Sequence, residues 1–251
     1  MHLLDRMGAP LALADYDWDT AAAGPPLTAE ERFQLTYAAH VEWGTEGTFA
    51  SLDVSSDPLV GRFLDIWLEQ EVVHADLLAR FLATQGAPTA PVHRTRAQRF
   101  AARRGKWVNQ AAVKVLGKDF FAVHMTWGAV NELTTLRFYS LFRRRSANPV
   151  LRDLLGDVIA QEAVHFAFYR EMAAQLLHDN ERAQRITRWV MTHLWSPVGV
   201  GLRSREDADR LMRGVFAGEP TEVRAIDARI DRLPGLDDLD LVTRLMDADA
   251  A

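Results

Sequence analysis

The chain has 251 residues, 48% of them apolar and 25% charged, with a net charge of −5 and no cysteine. That is the balance of an ordinary globular protein; it excludes disulfides, zinc–cysteine sites, cysteine-held iron–sulfur clusters and a cysteine nucleophile, and so mild an acidity does not suggest nucleic-acid binding. No stretch reaches transmembrane length, and the opening twenty residues carry four aspartates and no long apolar run, so the expectation is a cytoplasmic protein with no membrane span and no secretory leader.

Almost every strong signal along the chain is helical. Thr28 followed by Glu31 forms a capping box after "GPP" and opens a first helix expected to run to about Asp53. Asp57 before Pro58 starts a second, which Gly86 ends. A third runs from about Asp119 to Arg145, and a fourth is capped by Asn148, begins at Pro149 and lasts to about His178. Shorter helical patterns follow near 180–195, 205–217, 220–232 and 237–247. Short links join helix one to two and three to four, so each pair is expected to be antiparallel, and a long crossover over 86–117 separates the pairs. Two such hairpins make an all-α, ferritin-like four-helix bundle. Nothing forces a division, so residues 1–251 read as one domain, with the bundle at 27–178 and accessory C-terminal helices at 179–251.

The apolar faces of these helices contain acids and histidines. On the second, Phe63, Trp67, Glu71, His74 and Leu78 share a stripe, and on the fourth Leu151, Leu155, Val158, Glu162, His165 and Tyr169 do. The third carries Glu132 between Gly128 and Thr135, and the first carries Glu42 between Ala38 and Thr45. Each hairpin thus offers Glu on its first helix and Glu-x-x-His on its second, separated by 29 residues (Glu42 to Glu71) and 30 residues (Glu132 to Glu162). Glu46 is the second choice on the first helix, because its level along the hairpin matches Glu71 less well. One Glu-x-x-His pair arises easily by chance among thirteen glutamates and eight histidines; two on inward stripes at matched distances do not. Four carboxylates at one buried level would repel and lose their hydration. Two divalent cations neutralise them, and carboxylates with one imidazole each suit iron(II) or manganese(II). Tyr37, Tyr139 and Tyr169 read first as core residues, with redox activity beside a metal pair as the alternative. His40 and His124 read as packed or polar residues.

Three segments carry a resemblance. "WLEQEVVHADLLARFLATQG" is similar to the second bundle helix of the soluble acyl-carrier-protein desaturases, "NELTTLRFYS" to their third-helix segment, and "LLGDVIAQEAVHFAFY" to their fourth helix. The resemblance covers about residues 30–178. It implies that Glu42 (by position only), Glu71, His74, Glu132, Glu162 and His165 hold two iron ions, with manganese as an option. It also implies bridging by Glu132 with Glu71 or Glu162, a place for Thr135 near the side where dioxygen, the co-substrate, binds, and a homodimer. The expected activity is oxidation of an acyl chain on an acyl carrier protein, with electrons from an external ferredoxin or reductase. Departures are present: "VEWGTEGTFASL" lacks the family's Leu-Pro run after the first ligand, and Gln70 and Gln161 replace acids that often precede the motifs. They keep hydroxylation or N-oxygenation of a small or carrier-tethered substrate as an alternative; a ferritin-like ferroxidase is a further one.

The crossover "HRTRAQRFAARRGKWVNQAAVKVLGK" holds eight Lys or Arg residues and no acid. It reads as a solvated face or as a docking surface for an acidic carrier protein, for which Arg99, Arg103 and Arg104 are the candidates. Reversing these three to glutamate is expected to weaken carrier-protein binding in a salt-dependent way. Unchanged affinity at low salt would remove this partner.

Overall fold

The computed structural model describes residues 3–49, 58–92 and 117–248. The chain is helical, and among the described residues there is no β-strand, only an isolated bridge between Val200 and Arg203. The helices are α1 (Trp18–Ala23), α2 (Ala29–Phe49), α3 (Pro58–Thr84), α4 (Lys118–Arg145), α5 (Pro149–Leu177), α6 (Glu181–Leu194), α7 (Arg205–Phe216), α8 (Pro220–Ile230) and α9 (Leu241–Ala248). None is long and apolar enough to cross a membrane. The expected end of the first helix at Asp53, the start signal at Asp57 and the docking residues Arg99, Arg103 and Arg104 lie outside the described residues.

The start and stop signals act as their chemistry requires. Thr28 Oγ1 accepts from the Glu31 amide at 3.2 Å while Glu31 Oε2 accepts from the Thr28 amide at 2.7 Å, a reciprocal capping box that opens α2. Asn148 Oδ1 accepts from the Leu151 amide at 3.3 Å and caps α5. Gly86, with φ +70°, follows α3 in the left-handed region where a side chain would be strained. Before α2 the chain forms two 3-10 turns, Leu3–Arg6 and Leu13–Asp15, and the short α1, none of which the periodicity predicts. These segments are too short to show a period; α1 is set by its cap, Asp17, which accepts from the amides of Asp19 and Thr20.

Two compact units divide the chain. The first consists of the described residues of Met1–Asn109, Tyr139–Gln161 and Gly199–Arg205. Within it α2 and α3 run antiparallel: Gln85, just past α3, accepts from the amide of Leu27, just before α2, at 3.3 Å, and Trp43 Nε1 donates to Asp76 at 2.9 Å. On α3 the buried residues recur as Val60, Phe63/Leu64, Trp67, Gln70/Glu71, His74/Ala75, Leu77/Leu78 and Phe81/Leu82, one apolar stripe interrupted in the middle by polar groups. The N-terminal arm is stitched on by side chains, since Ala21 O accepts from Gln85 at 2.8 Å and Asn148 at 3.0 Å, and Tyr16 donates to Asp157 at 3.0 Å.

The second unit consists of the described residues of Gln110–Phe138, Glu162–Val198 and Glu206–Ala251. Here α4 and α5 run antiparallel, as the pairs Glu132/His165 and His124/Tyr169 show. The C-terminal helices are held by specific polar contacts. Asn180 caps α6 through the Ala183 amide at 3.1 Å and donates to Asp119 at 2.9 Å, while the buried Asp227 accepts from the Val242 and Thr243 amides, both at 2.8 Å.

Gly128 on α4 supplies a sharp test of this packing. A Cβ there would lie 2.3 Å from two atoms of the Tyr169 ring, which fills the space over the glycine. Gly→Ala inside a helix normally stabilises by about 1 kcal/mol. Gly128→Ala is expected to do the reverse, lowering stability by about 1–3 kcal/mol through overpacking, as read by urea unfolding. An unchanged or raised midpoint would contradict the close approach.

Candidate metal centre

Each unit contains one buried set of two glutamates and a histidine. In the first, α2 supplies Glu42 and α3 supplies Glu71 and His74, and one donor atom from each lies within 4.8 Å of the others. In the second, α4 supplies Glu132 and α5 supplies Glu162 and His165, again mutually within 4.8 Å. The six residues singled out in the sequence are the ones that make up these two sets. The i, i+3 spacing puts Glu and His on one helical face, and the antiparallel neighbour delivers the second glutamate at the same level. Exposure runs from 0% at His74, Glu162 and His165 to 6% at Glu132. Glu46 is in α2, but its side chain lies outside the described residues.

The spacing within the second set is instructive. His165 Nδ1 is 3.7 Å from Glu132 Oε2 and 3.6 Å from Glu162 Oε2, longer than a hydrogen bond. Donors bound to one ion at about 2.1 Å stand about 3–3.6 Å apart, so these separations suit a shared cation. Burial is the main cause that pushes the Glu132 carboxyl up, to about 8; the His165 contact opposes it and the Glu162 carboxylate adds to it. Such a group gives up a proton readily only when a positive charge arrives. Carboxylate and imidazole donors without thiolate fit iron(II) or manganese(II).

Three neighbours shape the first set. Tyr139, from α4, is fully buried and donates its hydroxyl to Glu42 Oε1. His74 Nε2 lies 2.8 Å from Gln161 Oε1. Gln161 Nε2 in turn donates to Ala9 O at 2.9 Å, and Gln70 Nε2 donates to Met7 O at 2.8 Å. Tyr139 was legible as a core residue or a redox-active neighbour of a metal pair, but not as the partner of Glu42. Gln161 was legible only as a departure from an acid, and nothing marked residues 7–9 as partners of either glutamine.

Thr135 is half-buried one turn beyond Glu132. Thr134, its neighbour, is the residue that returns its hydroxyl to the helix, donating to Asn131 O at 2.8 Å and Val130 O at 3.0 Å. His124 is held down to about 4 by burial and meets Tyr169 edge-on at 6.2 Å, a packed neutral ring. His40 contacts Thr89 and Arg203, each at 2.8 Å, and burial also lowers it.

No family model, curated protein or solved structure matches the chain.

Glu132 predicts a pH dependence. Its raised value means that protonation in the folded chain contributes stability present below the ordinary carboxylate range and lost as pH rises through about 8. In chelator-treated protein the melting temperature is expected to fall between about pH 5 and pH 9, and Glu132→Gln should flatten that fall and melt several degrees higher at the alkaline end. Equal pH profiles for the two proteins would contradict this assignment.

Proposed function

We propose that the chain is an oxygen-dependent di-iron oxidase of ferritin-like type, acting on an acyl chain borne by an acyl carrier protein or a similar acidic carrier. The observation that carries the reading is the buried Glu–Glu–His set that occurs twice, once on α2/α3 and once on α4/α5. A single acidic cluster has structural explanations. A duplicated one built from the same spacing on two antiparallel hairpins has the symmetry of a metal pair.

In this reading one ion takes Glu42, Glu71 and His74, and the other takes Glu132, Glu162 and His165. Bound iron would supply the reduction of dioxygen and the removal of hydrogen from an unactivated C–H bond. The chain's own residues do the rest. The burial of the six residues excludes water, Tyr139 holds the Glu42 carboxylate at one oxygen, and the half-buried Thr135, one turn from Glu132, would hold or pass a proton. Electrons come from a separate ferredoxin or reductase, since a chain without cysteine cannot ligate a cluster through thiolates of its own. A single ferritin-like domain, a homodimer and carrier docking through Arg99, Arg103 and Arg104 belong to the same proposal.

The glutamines at positions 70 and 161, where acids often stand, favour a second outcome at the same centre: hydroxylation or N-oxygenation. A ferroxidase is the third reading. One experiment separates them. Iron-loaded, chemically reduced protein is given dioxygen and a long-chain acyl carrier protein, and the acyl product is examined by mass spectrometry. Loss of two hydrogens is the expected result; gain of one oxygen supports the second outcome. Oxygen uptake that accumulates ferric mineral and leaves the acyl chain untouched would overturn the oxidase reading.

A further inference from the structure

Resting on the metal reading above, we propose that Gln161 is a positioning residue that makes Nδ1 of His74 the metal-binding atom and, as a neutral acceptor, keeps that imidazole a weaker donor than a carboxylate neighbour would.

The protons are fixed outward from the N-terminal arm. Ala9 O can only accept, so the Gln161 atom 2.9 Å from it is the amide nitrogen. This fixes the amide's orientation and turns Oε1 toward His74 Nε2, at 2.8 Å. An amide oxygen also only accepts, so Nε2 of His74 carries the proton. A neutral imidazole with hydrogen on Nε2 has its lone pair on Nδ1, which is then the nitrogen that can serve as the His74 donor in the set with Glu42 and Glu71. Gln161 is 9% exposed and His74 0%, so water does not easily substitute for either contact. The arm is itself anchored beside this point, because Gln70 donates to Met7 O at 2.8 Å and Met7 is buried. Residues 7–9 thus act on the centre at one remove: they orient an amide, and the amide orients a ring.

The identity of the acceptor has a chemical consequence. A carboxylate hydrogen-bonded to a ligand histidine draws its proton and makes the ring more electron-donating. The uncharged amide of Gln161 does this less, which leaves the bound ion more electron-poor and raises its reduction potential.

Three readouts test this in the full-length protein. The first is the 15N shift pattern of His74 in metal-free protein, which reports the tautomer directly. The second is Fe(II) affinity by chelator competition, and the third is the potential of the iron-loaded centre. Wild type is expected to show hydrogen on Nε2. Gln161→Leu, which keeps bulk but removes the acceptor, should give a mixture of tautomers and bind Fe(II) about ten- to a hundredfold more weakly. Gln161→Glu should keep the Nε2 proton, bind Fe(II) more tightly and lower the potential. If Gln161→Leu does not fold, the potential of Gln161→Glu decides alone. Wild type that binds iron while both variants match it in tautomer, affinity and potential overturns this inference and leaves the metal reading intact. Wild type that takes up no iron overturns both.

Discussion

The arrangement depends on the cost of placing two carboxylates beside one another in a dry interior. In each unit a pair of glutamates meets a histidine with almost no solvent contact, and desolvation alone would favour protonating or expelling them. Glu132 answers that cost by holding its proton up to about 8. In the first set a tyrosine hydroxyl donates to Glu42 and a glutamine amide oxygen meets His74, so hydrogen bonds help hold the polar groups in place. A positive charge at each set turns that cost into binding energy, which is why a cation rather than an ion pair is the economical explanation.

Much of this was legible from the sequence because the relevant signals are local. The Thr28/Glu31 box, the Asn148 cap and the α3 stripe each depend on residues within a few turns, and helical geometry makes their outcome nearly obligatory. The grouping of Glu42, Glu71 and His74, and of Glu132, Glu162 and His165, was legible for the same reason, since a three-residue spacing and a matched hairpin register leave few alternatives. What escaped depends on contacts remote in sequence. Gln161 meets Ala9 across 152 positions and His74 across 87, and no periodicity reports an amide's orientation. The N-terminal arm has no repeating pattern at all; its place is set by which buried donors it satisfies.

The two glutamines give the centre its individuality. Placed directly before each Glu-x-x-His motif, they have the size and donors to tie the N-terminal arm down, which a carboxylate at either position could not do toward Met7 or Ala9 carbonyls. Fixing the arm and tuning the ring are therefore one choice rather than two. Exchanging both glutamines for carboxylates would remove the donors that meet the Met7 and Ala9 carbonyls.

The most direct measurement is anomalous X-ray scattering from crystals of the chain grown anaerobically with Fe(II). The account predicts two iron peaks per chain, one against Glu42, Glu71 and His74 and the other against Glu132, Glu162 and His165. A well-folded chain with these six side chains buried and no iron among them, despite excess metal, would contradict it.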